Sequence, residues 1–398
     1  MFWTLGQQLC VRLCVALKFF LMARMLGPEA IGQAVLALTL LAILESCSDF
    51  GFGQAVVQKS DAPSARLLGQ VFTMQASRGW ILAGLLALVP WVGSGLGFSS
   101  VAAASFVVLP FLALAKTSIS PRYAMVQRRR QFKPLFAIDV TCVVVDLGLS
   151  VVFAMQGWDA ASILLGSLCG ESLKAVISWF ISRDPVVLNF QWREAQEIAS
   201  FGLWVWLGGL VTTVLNQGDK ILVSILFGER ELGIYQTVIK GAQLLFSDAS
   251  IALCMYAYPV LAQANREDRF GAWRRYATLR LGLLGYVAAV SLPALVWGND
   301  VLLFVLGAKW SGVDRYFAFA MLPVIVGAFL TLRVTFDRAL GFPSRAVLAS
   351  LLQLLAFLAA VLGLGALVPG AAAVMVASFV GGLVAYAFLE WRYRKPTS

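Results

Sequence analysis

The sequence predicts an all-α integral membrane protein with about twelve transmembrane helices in two six-helix lobes. Three observations predict it. The 398 residues are 60% hydrophobic and only 13% charged, with a mean hydropathy of +0.82, more apolar surface than a soluble domain of this length can bury. Apolar runs of about 20 residues, the length that crosses a ~30 Å hydrocarbon core, recur from end to end. Basic residues fall between these runs in an alternating pattern, dense in every second connection. Runs this continuous, without dyad alternation, exclude an outer-membrane barrel.

Glycine, proline and charge punctuation divides the runs into spans at Phe2–Met25, Glu29–Val57, Leu67–Gly93, Val101–Val126, Pro134–Gln156 and Ala160–Ile181. After a polar stretch follow Phe201–Phe227, Leu232–Ala262, Tyr276–Leu306, Tyr316–Leu340, Arg345–Leu367 and Ala371–Trp391. The expected domains are an N-terminal lobe at 1–185, a cytoplasmic amphipathic linker at 186–200 and a C-terminal lobe at 201–398. With the N-terminus inside, the inner loops and tail hold seventeen basic residues, among them Arg128, Arg129, Arg130 and Lys133. The outer loops hold four: Arg24, Arg230, Lys309 and Arg315. That asymmetry places both termini in the cytoplasm and the protein in a cytoplasmic membrane. The first run is long, carries Arg12 and Lys18 and has no small-residue cleavage site, so it reads as a span and not a signal peptide.

The halves are related. LGPEAIG (Leu26–Gly32) joins the first two spans and FGERELG (Phe227–Gly233) joins the seventh and eighth. Gly27 and Gly32 match Gly228 and Gly233 at one offset, and Ser48–Asp49 recurs as Ser247–Asp248 at nearly the same one. An even number of spans lies between the copies, so the repeats are parallel, related by an axis along the membrane normal.

Composition also excludes chemistries. The chain has no histidine, and its six cysteines lie in apolar segments without a CxxC pair; neither disulfides nor a metal centre are expected. No GxxxxGK[ST] loop is present. The net charge of +10 belongs to the inner membrane face, so no nucleic-acid partner is expected.

The informative residues are the charges left within the spans. Ten bases and eight acids lie there, and each costs about 2.5–3.5 kcal/mol at a helix centre even on the lenient insertion scale. Arg122, Arg280 and Lys116 are read as snorkelling to the headgroups. Glu171 with Lys174, and Arg333 with Asp337, stand at helical spacing and are read as local salt bridges. Glu45/Asp49 and Asp139/Asp146 share a helix face with no base at contact spacing, and Arg12, Lys18, Lys220 and Lys240 have no acid. A polar cavity between two lobes accounts for them together. The candidate substrate-binding cations are Arg12, Lys18, Arg24, Lys220, Lys240 and Arg333. The candidate coupling or gating acids are Glu45, Asp49, Asp139, Asp146, Asp219 and Asp248. Arg12 or Lys240 is the expected partner of Glu45 and Asp49. Cations in such number suit an anionic head such as a pyrophosphate.

Three segments carry a resemblance. RMLGPEAIGQAVLALTLLAILESCSDFGFGQAVVQK, MVQRRRQFKPLFAIDV and FGLWVWLGGLVTTVLNQGDKILVSILFGERELGIYQTVIKGAQLL resemble bacterial oligosaccharide flippases, the Wzx-type polysaccharide biosynthesis proteins of the MOP superfamily. The resemblance runs from about Leu21 to Leu389 and implies a MATE-like, V-shaped fold. It implies translocation of an undecaprenyl-pyrophosphate-linked oligosaccharide across the inner membrane by alternating access, for O-antigen or exopolysaccharide synthesis, with the lipid-linked sugar, membrane lipids and polysaccharide polymerase machinery as partners. Arg24, Asp219 and Lys220 carry over as motif positions. The chain departs from the pattern in having twelve spans where many members have fourteen, and about ten fewer residues before the first. No cofactor is expected; coupling to protons, sodium or membrane potential stays open. The alternatives are a multidrug or small-molecule antiporter of the same fold and a membrane glycosyltransferase or polymerase. Short outer loops argue against the last.

Overall fold

A computed structural model describes residues 2–49, 64–95, 105–188, 192–364, 368 and 370–394. Among them the regular elements are helical and no strand occurs. We number the α-helices α1 Phe2–Met25, α2 Pro28–Ser48, α3 Ala65–Gly95, α4 Leu109–Thr117, α5 Arg122–Arg128, α6 Phe132–Met155 and α7 Asp159–Phe180. Then follow α8 Trp192–Glu267, α9 Arg269–Leu306, α10 Val313–Ala339, α11 Pro343–Leu364 and α12 Ala372–Arg394. Nine helices among the described residues contain a stretch long and apolar enough to cross a membrane. One such stretch, Gly209–Arg266 within α8, is long enough for two passes at ~1.5 Å per residue. Parts of the predicted second, fourth and eleventh spans (50–57, 101–104 and 365–367), with Lys59 and Lys395, lie outside the described residues.

The joints follow from the sequence. Gly27 precedes α2 in extended conformation (φ −114°, ψ 173°), and Pro28 opens the helix where a missing N–H costs nothing. The matching Gly228 interrupts α8 at φ 84°, ψ 178°, a conformation open to glycine alone at little cost, so the repeat's glycines mark the same joint in different geometry. Between α6 and α7, Gly157 (φ 82°) donates to the Ala154 carbonyl and Trp158 to the Phe153 carbonyl, satisfying the last carbonyls of α6. Asp268 caps α9 by accepting from the Phe270 and Gly271 amides at 2.9 Å each.

The predicted fourth span is broken. Pro121 disfavours helical geometry at Ser120 and lacks a donor, so α4 stops at Thr117 and α5 starts at Arg122. The freed backbone groups are met by α7 and the segment after it. The Ser120 amide donates to Ser178 Oγ (2.8 Å), and Trp179 Nε1 donates to the Ser118 carbonyl (3.2 Å). Arg122, expected to snorkel, instead donates to the Asp184 carbonyl (2.8 Å) and to the Trp179 carbonyl.

The chain divides into two compact units, Met1–Gln217 and Gly218–Ser398. In the first, α6 packs on α7 and α1, and α3 packs on α4. In the second, α12 packs on α11 and α10. A close joint of the first unit is α6 on α7, where Gly166 and Gly170 of the GSLCG stretch face Cys142, Asp146 and Ser150. A Cβ at Gly170 would meet the Asp146 side chain at 2.9 Å. Small residues four apart on α7 thus let two helix backbones approach.

After α7 the chain runs extended over 182–188 and is pinned to the first unit. The Val187 amide donates to the Ala65 carbonyl (3.1 Å), and Arg129 meets Asp184 at 2.5 Å. Burial pushes the Asp184 carboxyl up, but the Ser182 hydroxyl, the Arg129 contact and the Arg122 charge outweigh it and hold the group below its usual 3.8. A carboxylate with a lowered folded-state pKa stabilises above its unfolded value and loses that contribution as pH falls through the folded one. Hydrogen exchange of the 182–188 amides is therefore expected to rise, relative to the intrinsic rate, only below about pH 4. In Asp184→Asn the same amides should exchange fast already at neutral pH.

Candidate functional site

The first unit holds a half-open cavity of about 420 Å³, lined by both charged and apolar side chains. Five helices line it: α1 with Gln7 and Val11, α2 with Leu38, α4 with Leu112 and Lys116, α6 with Asp139, Cys142, Val143 and Asp146, and α7 with Ser167, Gly170, Glu171 and Lys174. Asp139, Cys142 and Asp146 recur at three- and four-residue steps, so they share one face of α6. The close approach of α7 at Gly170 brings Glu171 and Lys174 opposite that face.

The charges around the cavity are joined across helices. Lys18 Nζ on α1 meets Asp146 Oδ1 on α6 at 2.5 Å, and donates to Ser167 Oγ (2.9 Å) and the Ile163 carbonyl (3.3 Å) on α7. Lys174 meets Asp139 at 2.9 Å. The other Asp139 oxygen accepts from the Tyr123 hydroxyl (2.8 Å) and from Gln7. Lys116 on α4 meets Glu45 on α2 at 3.1 Å. Beside it, Arg78 on α3 donates to Ser48 Oγ (2.8 Å) and the Glu45 carbonyl (2.7 Å), with Asp49 at 3.6 Å. Lys18 of α1, Lys116 of α4 and Lys174 of α7 are thus each taken up by a carboxylate of a different helix, and Arg78 of α3 by Asp49 just beyond α2.

This arrangement corrects several sequence expectations. The partner of Glu45 is Lys116, rather than Arg12 or Lys240. Lys116 does not snorkel; it lies beside the cavity. The helical pair Glu171/Lys174 is not a salt bridge, because Lys174 turns to Asp139 on the neighbouring helix. Arg78 received no role from the sequence. Its position signalled one, since it stands too deep inside α3 for its side chain to reach a headgroup. Arg12 and Arg24 are exposed and do not line the cavity.

In the second unit, Asp219 accepts from the Tyr235 hydroxyl (2.6 Å), linking the two spans of α8 across the Gly228 joint. Lys220 lies in the field of Asp219 and, more weakly, of Lys240 on the other side of that joint. Asp248 is half-buried further along the same helix. Arg333 is fully buried and close to Asp337 (3.6 Å) and Glu390 (3.7 Å), donating to the Leu389 carbonyl at 2.7 Å. The rings of Tyr276 and Phe336 flank its guanidinium at 5.5 and 5.1 Å. Arg345 adds a second contact to Asp337 (3.6 Å), and Arg280 a second to Glu390 (3.5 Å). The predicted Arg333–Asp337 pair therefore exists, inside a larger network joining α9 to α12. Arg280, expected to snorkel, belongs to it. Among the described residues no group of histidine, cysteine or carboxylate side chains could hold a metal ion.

These features define a multi-pass helical membrane protein, and solved structures show that its fold is MATE-like. The chain is similar to an inward-facing multidrug resistance MATE family transporter of the MOP superfamily, with a TM-score of 0.73 at 11% identity over 98% of this chain and 96% of that one. It is also similar to the lipid II flippase MurJ in an inward closed conformation, with a TM-score of 0.76 at 13% identity over 99% and 87%. A family model described as polysaccharide biosynthesis protein matches residues 21–315. The chain belongs to that family. It is 22% identical to the teichuronic acid biosynthesis protein TuaB of Bacillus subtilis (strain 168) over 77% of its length and 64% of that protein's. It is 19% identical to the lipopolysaccharide biosynthesis protein WzxC of Escherichia coli (strain K12) over 73% and 59%. The chain thus spans less than two thirds of either relative's length.

Removing one partner of a buried ion pair leaves an uncompensated charge, at a cost of about 3–5 kcal/mol. Lys18→Met should lower the thermal midpoint of the purified protein by that equivalent, whereas Lys18→Met with Asp146→Leu should recover most of it. A double-mutant cycle in detergent measures the difference.

Proposed function

We propose that the protein is a flippase that moves a lipid-linked oligosaccharide, carried on undecaprenyl pyrophosphate, across a bacterial inner membrane. The observation that carries this reading is membership of the polysaccharide biosynthesis family, matched over residues 21–315. Basic residues within the second unit's spans, Lys220 and Lys240 among them, suit a pyrophosphate diester with roughly two negative charges. Family membership and the similarity to TuaB and WzxC support the substrate class. The basic residues in alternate connections support an orientation with both termini in the cytoplasm, with Arg12 and Arg24 as further cations toward the substrate. Polysaccharide polymerase machinery is the expected receiver of the translocated lipid.

Alternating access supplies the mechanism in this reading. Asp219 beside Lys220 and Asp248 further along the helix serve as gating acids, and Glu45, Asp49, Asp139 and Asp146 hold the first unit's bases until movement of the helices redistributes the pairs. One charge crossing 100 mV is worth about 2.3 kcal/mol. Two substrate charges leaving an inside-negative cell would gain about 4–5 kcal/mol per 100 mV, enough to drive transport without nucleotide.

A second reading, a small-molecule antiporter of the same fold, is favoured by one observation. The first unit's cavity is lined by three carboxylates and two lysines, an excess of acid that suits an organic cation.

The two readings part in a deletion strain of the native host. Spheroplasts treated with an impermeant glycosidase should leave the lipid-linked oligosaccharide protected in the inner leaflet, with surface polymer lost. Expressing Lys220→Met/Lys240→Met there should fail to restore polymer although the protein inserts. Normal polymer with altered tolerance of cationic drugs would establish the antiporter instead.

A further inference from the structure

The first unit's cavity offers a ligand both kinds of hydrogen-bonding group. Glu171 lines it, half-buried, and makes no hydrogen bond or ion pair among the described residues, so both of its oxygens can accept. Lys116 and Lys174 also line it, each engaged by one carboxylate, Glu45 at 3.1 Å and Asp139 at 2.9 Å. An ammonium carries three N–H groups, so each lysine keeps donors for a ligand. Gln7 donates its amide N–H to Asp139 and keeps its carbonyl oxygen. Ser167 accepts from Lys18 at 2.9 Å and keeps its O–H. Glu171 and Lys174 stand one helical turn apart, so one face of α7 presents an acceptor and a donor side by side. Aliphatic side chains supply the rest of the wall: Val11, Leu38, Leu112 and Val143.

This mixture discriminates between ligands. A phosphate only accepts; it could use the lysines, but it would stand in the field of Asp139, Asp146 and Glu171. An organic cation has no use for the lysine donors and is repelled by them. An uncharged polyhydroxylated ring meets both demands, because each hydroxyl donates and accepts while the C–H groups of the ring lie on the aliphatic wall. The volume of about 420 Å³ is that of a small-molecule site, with room for a sugar unit and not for a whole oligosaccharide with its pyrophosphate.

We propose that this cavity is a sugar subsite: it takes a neutral pyranose unit of the translocated glycolipid, with Glu171 accepting from its hydroxyls and Lys116 and Lys174 donating to them, while the pyrophosphate is held outside it. The inference rests on the flippase reading above and names the part of the substrate that the first unit recognises. The interhelical pairs hold the two lysines in place before the sugar arrives, so little ordering is left to binding. Glu171 is then the residue that sets which sugar is accepted, through the positions of the hydroxyls it can reach.

The test uses the purified full chain in lipid nanodiscs and saturation-transfer NMR with glucose, galactose, mannose and N-acetylglucosamine. At least one of the four should bind. Glu171→Leu should weaken that binding about tenfold or more, the scale of a hydrogen bond to a charged group. Glu171→Gln, which keeps an acceptor, should weaken it less. Val143→Trp, which fills the cavity from a half-buried position, should abolish it, and the exposed control Glu29→Gln should leave it unchanged. Silence from all four sugars, binding that survives both Glu171→Leu and Val143→Trp, or displacement of the sugar by tetraphenylphosphonium or inorganic pyrophosphate would overturn the subsite. The flippase reading fails separately. Sugar binding in this cavity, in a protein whose deletion leaves the lipid-linked oligosaccharide open to glycosidase, would overturn translocation and leave the sugar site. Silence from the sugars, with the oligosaccharide protected in the deletion strain, would overturn the subsite alone.

Discussion

The structure depends on one constraint: an ion inside a membrane needs a partner, and in the first unit that partner comes from a neighbouring helix. An isolated charge at the bilayer centre costs several kcal/mol, whereas the stability of a whole domain is only about 5–15 kcal/mol. The first unit meets this constraint by interhelical pairing. Lys18 of α1 reaches Asp146 of α6, Lys174 of α7 reaches Asp139 of α6, and Lys116 of α4 reaches Glu45 of α2. The pairs are charge chemistry and also a positional device, since each fixes the rotation of two helices about their axes.

Close packing makes the pairing possible. Gly166 and Gly170 bring α7 against α6 at Asp146 and Ser150, which sets Ser167 within reach of the Lys18 ammonium. The break at Pro121 serves the same unit differently. It releases backbone groups that Ser178 and Trp179 take up, and it turns α5 so that Tyr123 meets Asp139. The second unit uses another solution. Arg333, Asp337, Arg345, Arg280 and Glu390 form one network with Tyr276 stacked on Phe336, tying four helices. The first unit keeps its charges beside a cavity, whereas Arg333 and Asp337 at the centre of this network are fully buried.

The spans were legible in the sequence because ~20-residue apolar runs have few alternative meanings, and glycine marked the joints at Gly27 and Gly228. The necessity of partners for Asp139 and Asp146 could also be read, because neither has a base at helical spacing. The identity of those partners could not. Helical spacing pairs Glu171 with Lys174, but it carries no information about Asp139 on the next helix, which offers Lys174 an additional hydrogen-bonded setting with Tyr123 and Gln7. Lys116 was assigned to the headgroups for a related reason: a side chain's depth can be counted only if the helix is unbroken, and the span that carries it is broken at Pro121.

The most direct test of this account is a charge exchange across α2 and α4, read as the amount of monodisperse protein recovered from membranes. Glu45→Lys and Lys116→Glu alone should each collapse recovery, because each places two like charges side by side between helices. Glu45→Lys with Lys116→Glu should restore it toward wild type. Single variants that accumulate as well as the wild type would show that these charges are not held against one another, and the interhelical pairing on which the account rests would be wrong.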